Sequence, residues 1–195
     1  MAAGRIRDAD SLEGFCRGRL HTAGLVAAAL AAAAAAGHDP LELDEAADAR
    51  TPVQALRTTA RKLGRQMMRA ARATWPSDEL DRLAAARRGR PPAGGAGPGR
   101  AVGRADPLDA AYAVAYETVS GPATATVRLL SLDPFDATAV LARLAPELDR
   151  IAAAAADAAR RIPEEGIGAL PAASAPLLDI SAQQHAAWAV RLFAS

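Results

Sequence analysis

Cys16, His21, His38 and His185 are the thiol and imidazole side chains of this sequence, the first candidates for nucleophile, base or metal ligand. A catalytic thiol needs a base within hydrogen-bond reach. Cys16 and His21 stand five residues apart and share no helix face. His38 falls in a turn and His185 lies far along the chain. No Gly-rich phosphate loop, Cys-x-x-Cys pair or His-Glu-x-x-His stretch occurs. The adjacent Glu164 and Glu165 read as solvated carboxylates in a loop. The sequence therefore nominates no catalytic residue. It nominates no metal site either, because one cysteine and three histidines never pair at ligand spacing. A single cysteine forbids an internal disulfide and fits a reducing, cytoplasmic compartment.

The strongest local pattern is cationic. Arg57, Arg61, Arg65, Arg69 and Arg72 recur every three or four residues, which lines them along one helix face. The same stretch carries no acid, and its opposite face holds Leu56, Leu63 and Met67. Such a stripe is a solvated face, a docking strip for an acidic protein surface, or a nucleic-acid contact. The last, an Arg-rich helical nucleic-acid binder, lacks aromatic residues in the strip that could stack on bases. Charge is segregated beyond this helix. Residues 50–104 hold 13 basic residues and three acids, although the whole chain nets only +1.

These residues must be positioned by helices. Of 195 residues, 51% are hydrophobic but only 4% aromatic, so alanine supplies much of the apolar content. Alanine favours helix and disfavours strand. An all-α, single-domain bundle of about seven or eight helices follows, long enough to bury a core. Asp10 with Glu13 has capping-box spacing and Gly37 ends the alanine run, which predicts a helix over about 11–36. Thr51-Pro52-Val53-Gln54 predicts a second start, with that helix running to about Thr74, and Ser77 caps a short helix to about Arg88. The tetrads Asp39-Pro-Leu-Glu, Asp106-Pro-Leu-Asp and Asp133-Pro-Phe-Asp read as helix starts. Helices are expected at about 107–119 and 122–132, broken at Ser120-Gly121-Pro122, then from Pro134 to about Arg161 with a kink or split at Pro146. Pro163 to Ala175 reads as a loop, and a last helix starts near Pro176.

Residues 87–104 are rich in Pro and Gly without apolar periodicity, which predicts a disordered loop, flexible over 89–104. Gly14, Gly18, Gly24 and Gly64 sit inside predicted helices, where glycine costs about 0.8–1 kcal/mol relative to alanine. Close approach of another helix, within the chain or in a dimer, is the expected reason, with ligand approach as the other. The apolar run 23–36 is shorter than the roughly 20 residues that span a bilayer, so no membrane segment is expected. The chain ends on Arg191, Leu192 and Phe193 with only Ala194 and Ser195 beyond, two bulky apolar groups in a tail (190–195) that should dock on something.

Three stretches carry a family resemblance: 48–76, 125–134 and 177–195, with 14–33 fitting the early helix. Together they resemble the urease accessory protein UreF family over most of the chain, 1–195. The most specific match is His185 followed by Arg191, Leu192, Phe193 and Ser195 at the end. A second is Arg57, Ala60, Gly64 and Arg65, where the family usually has Ser at the position of Ala60; Arg128 is a third. The resemblance implies an all-α, dimeric, non-catalytic maturation factor, a chaperone without a cofactor of its own. It implies binding to UreD (UreH in some organisms) and recruitment of the GTPase UreG, so that nickel reaches apo-urease; nickel and GTP are handled by those partners. It places His185, Arg191, Leu192, Phe193 and Ser195 at the UreD/UreH contact and Arg57, Gly64, Arg65 and Arg128 at a dimer or GTPase surface. Neither nucleic acid nor membrane is an expected partner. The family's opening Pro-Thr-Gly…His-Ser-x-Gly stretch, roughly 25–30 residues with its apolar lead, is expected to be missing ahead of Met1.

Overall fold

The computed structural model describes residues 6–86 and 106–187. All regular structure among them is helical: α1 (Ala9–Arg19), a π-helical turn (Leu20–Gly24), α2 (Leu25–Ala36), α3 (Pro40–Ala49), α4 (Gln54–Thr74), α5 (Asp78–Ala86), α6 (Pro107–Leu130), α7 (Pro134–Glu165), a 3-10 turn (Ile167–Ala169) and α8 (Pro176–Ala186). The all-α expectation holds. The whole 87–104 loop and the tail from 188 onward, with Arg191, Leu192, Phe193 and Ser195, lie outside the described residues.

The Asp-Pro tetrads act as read. Asp39, Asp106 and Asp133 are N-caps whose carboxylates accept from the backbone N–H of Leu41, Leu108 and Phe135 at 2.7–2.8 Å, with Pro opening each helix. Gly37, at φ 95°, closes α2 in the left-handed conformation that glycine adopts without penalty. Two predicted caps are corrected. The first capping box is Asp8 with Ser11, not Asp10 with Glu13. Thr51 caps nothing: its hydroxyl donates back to the Ala47 carbonyl at 2.9 Å, and α4 begins only at Gln54.

The predicted break at Ser120-Gly121-Pro122 is absent, because α6 runs through it. Proline in a helix interior leaves the carbonyl four residues back without its usual donor. Here that carbonyl belongs to Thr118, and it accepts from Arg19 Nε at 3.3 Å. A side chain from the neighbouring helix replaces the lost backbone bond. Restoring the N–H with Pro122→Ala is expected to raise stability by about 1–3 kcal/mol, read as a higher urea midpoint. Likewise α7 passes through Pro146, whose freed carbonyl is on the exposed Ala142, and continues past Pro163, so that Glu164 and Glu165 are exposed on the last turn of a helix rather than in a loop.

The core is a three-helix layer. α2 lies against both α6 and α7, α6 packs on α7, and α1 closes the same layer. Along α2, Val26, Ala28, Ala29, Leu30, Ala31, Ala32, Ala33 and Ala34 are all buried. All of these but Ala31 join Ala111, Ala115, Val119 and Ala123 of α6 and Val140, Leu144, Leu148, Ile151 and Ala155 of α7 in one cluster. Ala9–Ala36 is long and apolar enough, by length and composition, to cross a membrane, longer than the run read from sequence, but its apolar part is the central core helix here. Close approach falls at Gly24, in the π turn, where a Cβ would come within 3.1 Å of Thr118 Cγ2. At Gly14 and Gly18, where close packing was expected, a Cβ would meet nothing within 4 Å.

Candidate partner-binding surface

Among the described residues no imidazole is hydrogen-bonded to the thiol. Cys16 is fully buried, its Sγ lies 3.8 Å from the Val119 carbonyl, and burial pushes the thiol up to about 11, far from a reactive thiolate. His21 pairs with Glu147 of α7. Among the described residues no cluster of three or more His, Cys, Asp or Glu side chains is placed to hold a metal ion.

His21 belongs instead to an ionic clasp between α1, the π turn and α7. Arg17 donates to Glu13 at 2.8 Å and to Glu147 at 3.0 Å, and Arg143 donates to Glu13 at 2.6 Å. The Arg143 hydrogen bond, chiefly, holds the Glu13 carboxyl below its ordinary pKa, and the His21 bond does the same for Glu147. Carboxylates with depressed folded-state pKa values contribute stability above the unfolded value of 4.5, and that contribution drains as pH falls through the folded values. Urea midpoints should therefore drop on acidification below about pH 4.5, and Glu13→Gln/Glu147→Gln should flatten that limb.

Of the predicted cationic stripe, part is structural. Arg57 Nη1 donates to the Thr51 and Pro52 carbonyls at 2.6 and 2.9 Å, fastening the turn into α4. Arg61 pairs with Asp48 of α3, and Arg72 with Asp81 of α5 at 2.6 Å. The stripe was read as lacking acids because its partners come from neighbouring helices. Arg65 and Arg69 remain exposed, with no partner among the described residues. Gly64 is buried.

The predicted second set does not form one cluster. Arg57, Gly64 and Arg65 share α4, which packs on α8 and α5, whereas exposed Arg128 sits on α6, which packs on α2 and α7. Arg128 edges a shallow groove with Glu117, Ser120, Gly121, Thr124 and Leu129. His185 is exposed near the C-terminal end of α8. Large apolar residues are exposed on these helices: Leu63 and Met67 on α4, already legible as the face opposite the arginine stripe, and, missed in the sequence, Leu177 and Ile180 on α8 and Leu108, Tyr112 and Tyr116 four apart on α6. The four-residue spacing on α6 was the available signal, but the same spacing serves a buried face equally well. Tyr, Met and Arg, exposed here on α4 and α6, are residue types enriched at protein–protein interfaces.

Comparison with known proteins is decisive at this point. The model of the UreF family matches residues 6–145. The chain belongs to the UreF family. The urease accessory protein UreF of Mycobacterium sp. strain JLS is 38% identical over 196 residues, covering 100% of this chain and 86% of the relative. UreF of Mycolicibacterium vanbaalenii is 40% identical over 199 residues, with 100% and 86% covered. UreF of Mycobacterium tuberculosis H37Rv is 34% identical over 186 residues, with 95% and 82% covered. In this UreF chain, the helices that the family model matches, α1 through the first part of α7, include the whole α2–α6 contact and the α4 stripe.

Proposed function

We propose that this UreF chain is a non-catalytic urease maturation factor that bridges UreD/UreH and the GTPase UreG, so that nickel is inserted into apo-urease. Membership of the family carries the reading, since the relatives are named as accessory proteins. The chain's chemistry is consistent with it: the only thiol is buried and protonated, and large apolar side chains stand exposed on α4, α6 and α8. Arg191, Leu192, Phe193 and Ser195, with His185, form the UreD/UreH contact. Arg57, Gly64, Arg65 and Arg128 contribute to a dimer or UreG surface, with Arg65 and Arg128 as its exposed members. The chain acts in the cytoplasm as a homodimer, and nickel and GTP are held by its partners. Co-expression tests the bridge: UreG should co-purify with tagged UreD/UreH only when this chain is present. Co-purification without it would overturn the assignment. Arg65→Glu should lower UreG recovery about tenfold or more while leaving the unfolding free energy from urea denaturation within about 0.5 kcal/mol of the parent.

A further inference from the structure

Helix α2, the turn between α3 and α4, and α8 line a cavity of about 360 Å3. Its apolar wall includes Val26, Leu30, Leu56 and Leu178, interrupted by Arg19, Arg50 and Asp179. Arg50 is fully engaged. Its guanidinium donates to the carbonyls of Ala46, Ile167, Leu170 and Pro171 at 2.9–3.2 Å, tying the segment after α7 to the end of α3. Arg19 is not. It is half-buried, and among the described residues its one hydrogen bond is the 3.3 Å bond from Nε to the Thr118 carbonyl. Among the described residues no carboxylate reaches it, and desolvation lowers its pKa from the ordinary arginine value. A cation withdrawn from water is normally matched by an anion, because desolvating it alone is costly. The half-buried carboxylate of Asp179, in the first turn of α8, also has no partner among the described residues and does not reach Arg19.

We propose that this cavity binds a small apolar monocarboxylate, with its carboxylate on the Arg19 guanidinium and its aliphatic body against Val26, Leu30, Leu56 and Leu178. Four of the five guanidinium N–H donors are left after the Thr118 bond, enough for a two-bond fork onto a carboxylate. The volume lies within the range of small-molecule sites, about 300–1,000 Å3, and a mostly apolar lining with a few polar groups that fix orientation is their usual composition. Asp179 sets the selectivity. Its negative charge in the same cavity disfavours di- and polyanions such as phosphates, so one carboxylate with an uncharged tail is the fitting ligand. The site uses no residue of the tail, so its failure leaves the maturation role standing.

Calorimetric titration of the full chain with octanoate, octan-1-ol and octylammonium tests the proposal. Octanoate should bind about 10–100-fold more tightly than octanol, the contribution of a charged hydrogen-bonded pair, and more tightly than octylammonium, which has only Asp179 to pair with; octylammonium binding as tightly as octanoate would overturn the assignment. Arg19→Gln should reduce octanoate to the octanol level, and Asp179→Asn should tighten octanoate about 2–10-fold. Equal affinity for octanoate and octanol, no octanoate binding at all, or loosened binding in Asp179→Asn would overturn it. If Arg19→Gln unfolds through loss of the Thr118 bond, the three-ligand comparison and Asp179→Asn still decide.

Discussion

Removal of residues 191–195 is expected to weaken binding of this chain to UreD/UreH by roughly 10–1000-fold. Leu192 and Phe193 each contribute about 1.5–3 kcal/mol when fully buried on a partner, less the cost of ordering a chain end. The described core is built without them: its cluster is drawn from residues 6–170, so truncation should leave the urea midpoint unchanged while affinity falls. The tail follows α8, whose Leu177 and Ile180 are 68% and 55% exposed, so a partner can meet an apolar helix face continuous in sequence with the anchors. Leu192→Ala and Phe193→Ala should each lose part of the affinity, and titration of purified UreD/UreH with each variant reads the loss directly.

The second large effect is on stability. Leu144→Ala is expected to destabilise the chain by about 2–5 kcal/mol, measured by urea denaturation. Leu144 is fully buried in α7, in the cluster shared with α2 and α6. Domains of this size have about 5–15 kcal/mol in total, so the variant should sit close to the edge of folding. The effect is magnified because the surrounding contacts are mostly alanine. Ala29, Ala32 and Ala33 of α2 and Ala111 and Ala115 of α6 are almost wholly inaccessible, yet each buries little area, which leaves a handful of leucines and valines to supply most of the hydrophobic stabilisation. Phe135 is the contrast. It is 84% exposed, and Phe135→Ser should change stability by less than about 0.5 kcal/mol.

Helix starts were legible because their physics is local. An Asp followed by Pro caps a helix using only the next few backbone amides, and three such tetrads opened α3, α6 and α7. Errors arose where a distant group supplied what the local sequence lacked. Pro122 reads as a breaker until Arg19, about a hundred residues earlier, is found on the Thr118 carbonyl. The α4 stripe reads as unbalanced until Asp48 and Asp81 arrive from α3 and α5. Gly14 and Gly18 share a face, as their spacing indicates, but it is an open face, and periodicity alone does not distinguish a face turned to the core from one turned outward. For the binding surface, sequence identified the residue types and the family, whereas the division of the arginines into structural Arg57, Arg61 and Arg72 and exposed Arg65 and Arg69 required the tertiary contacts.

That the chain works by contact with other proteins is tested most directly by the nickel content of urease purified from cells carrying the cognate urease genes, in which the only copy of this chain stops after Val190. With the truncated chain at wild-type abundance, and UreD/UreH and UreG present, urease should be recovered largely without metal. Full nickel occupancy under those conditions would contradict the assignment of the terminal Arg191-Leu192-Phe193 as the partner anchor.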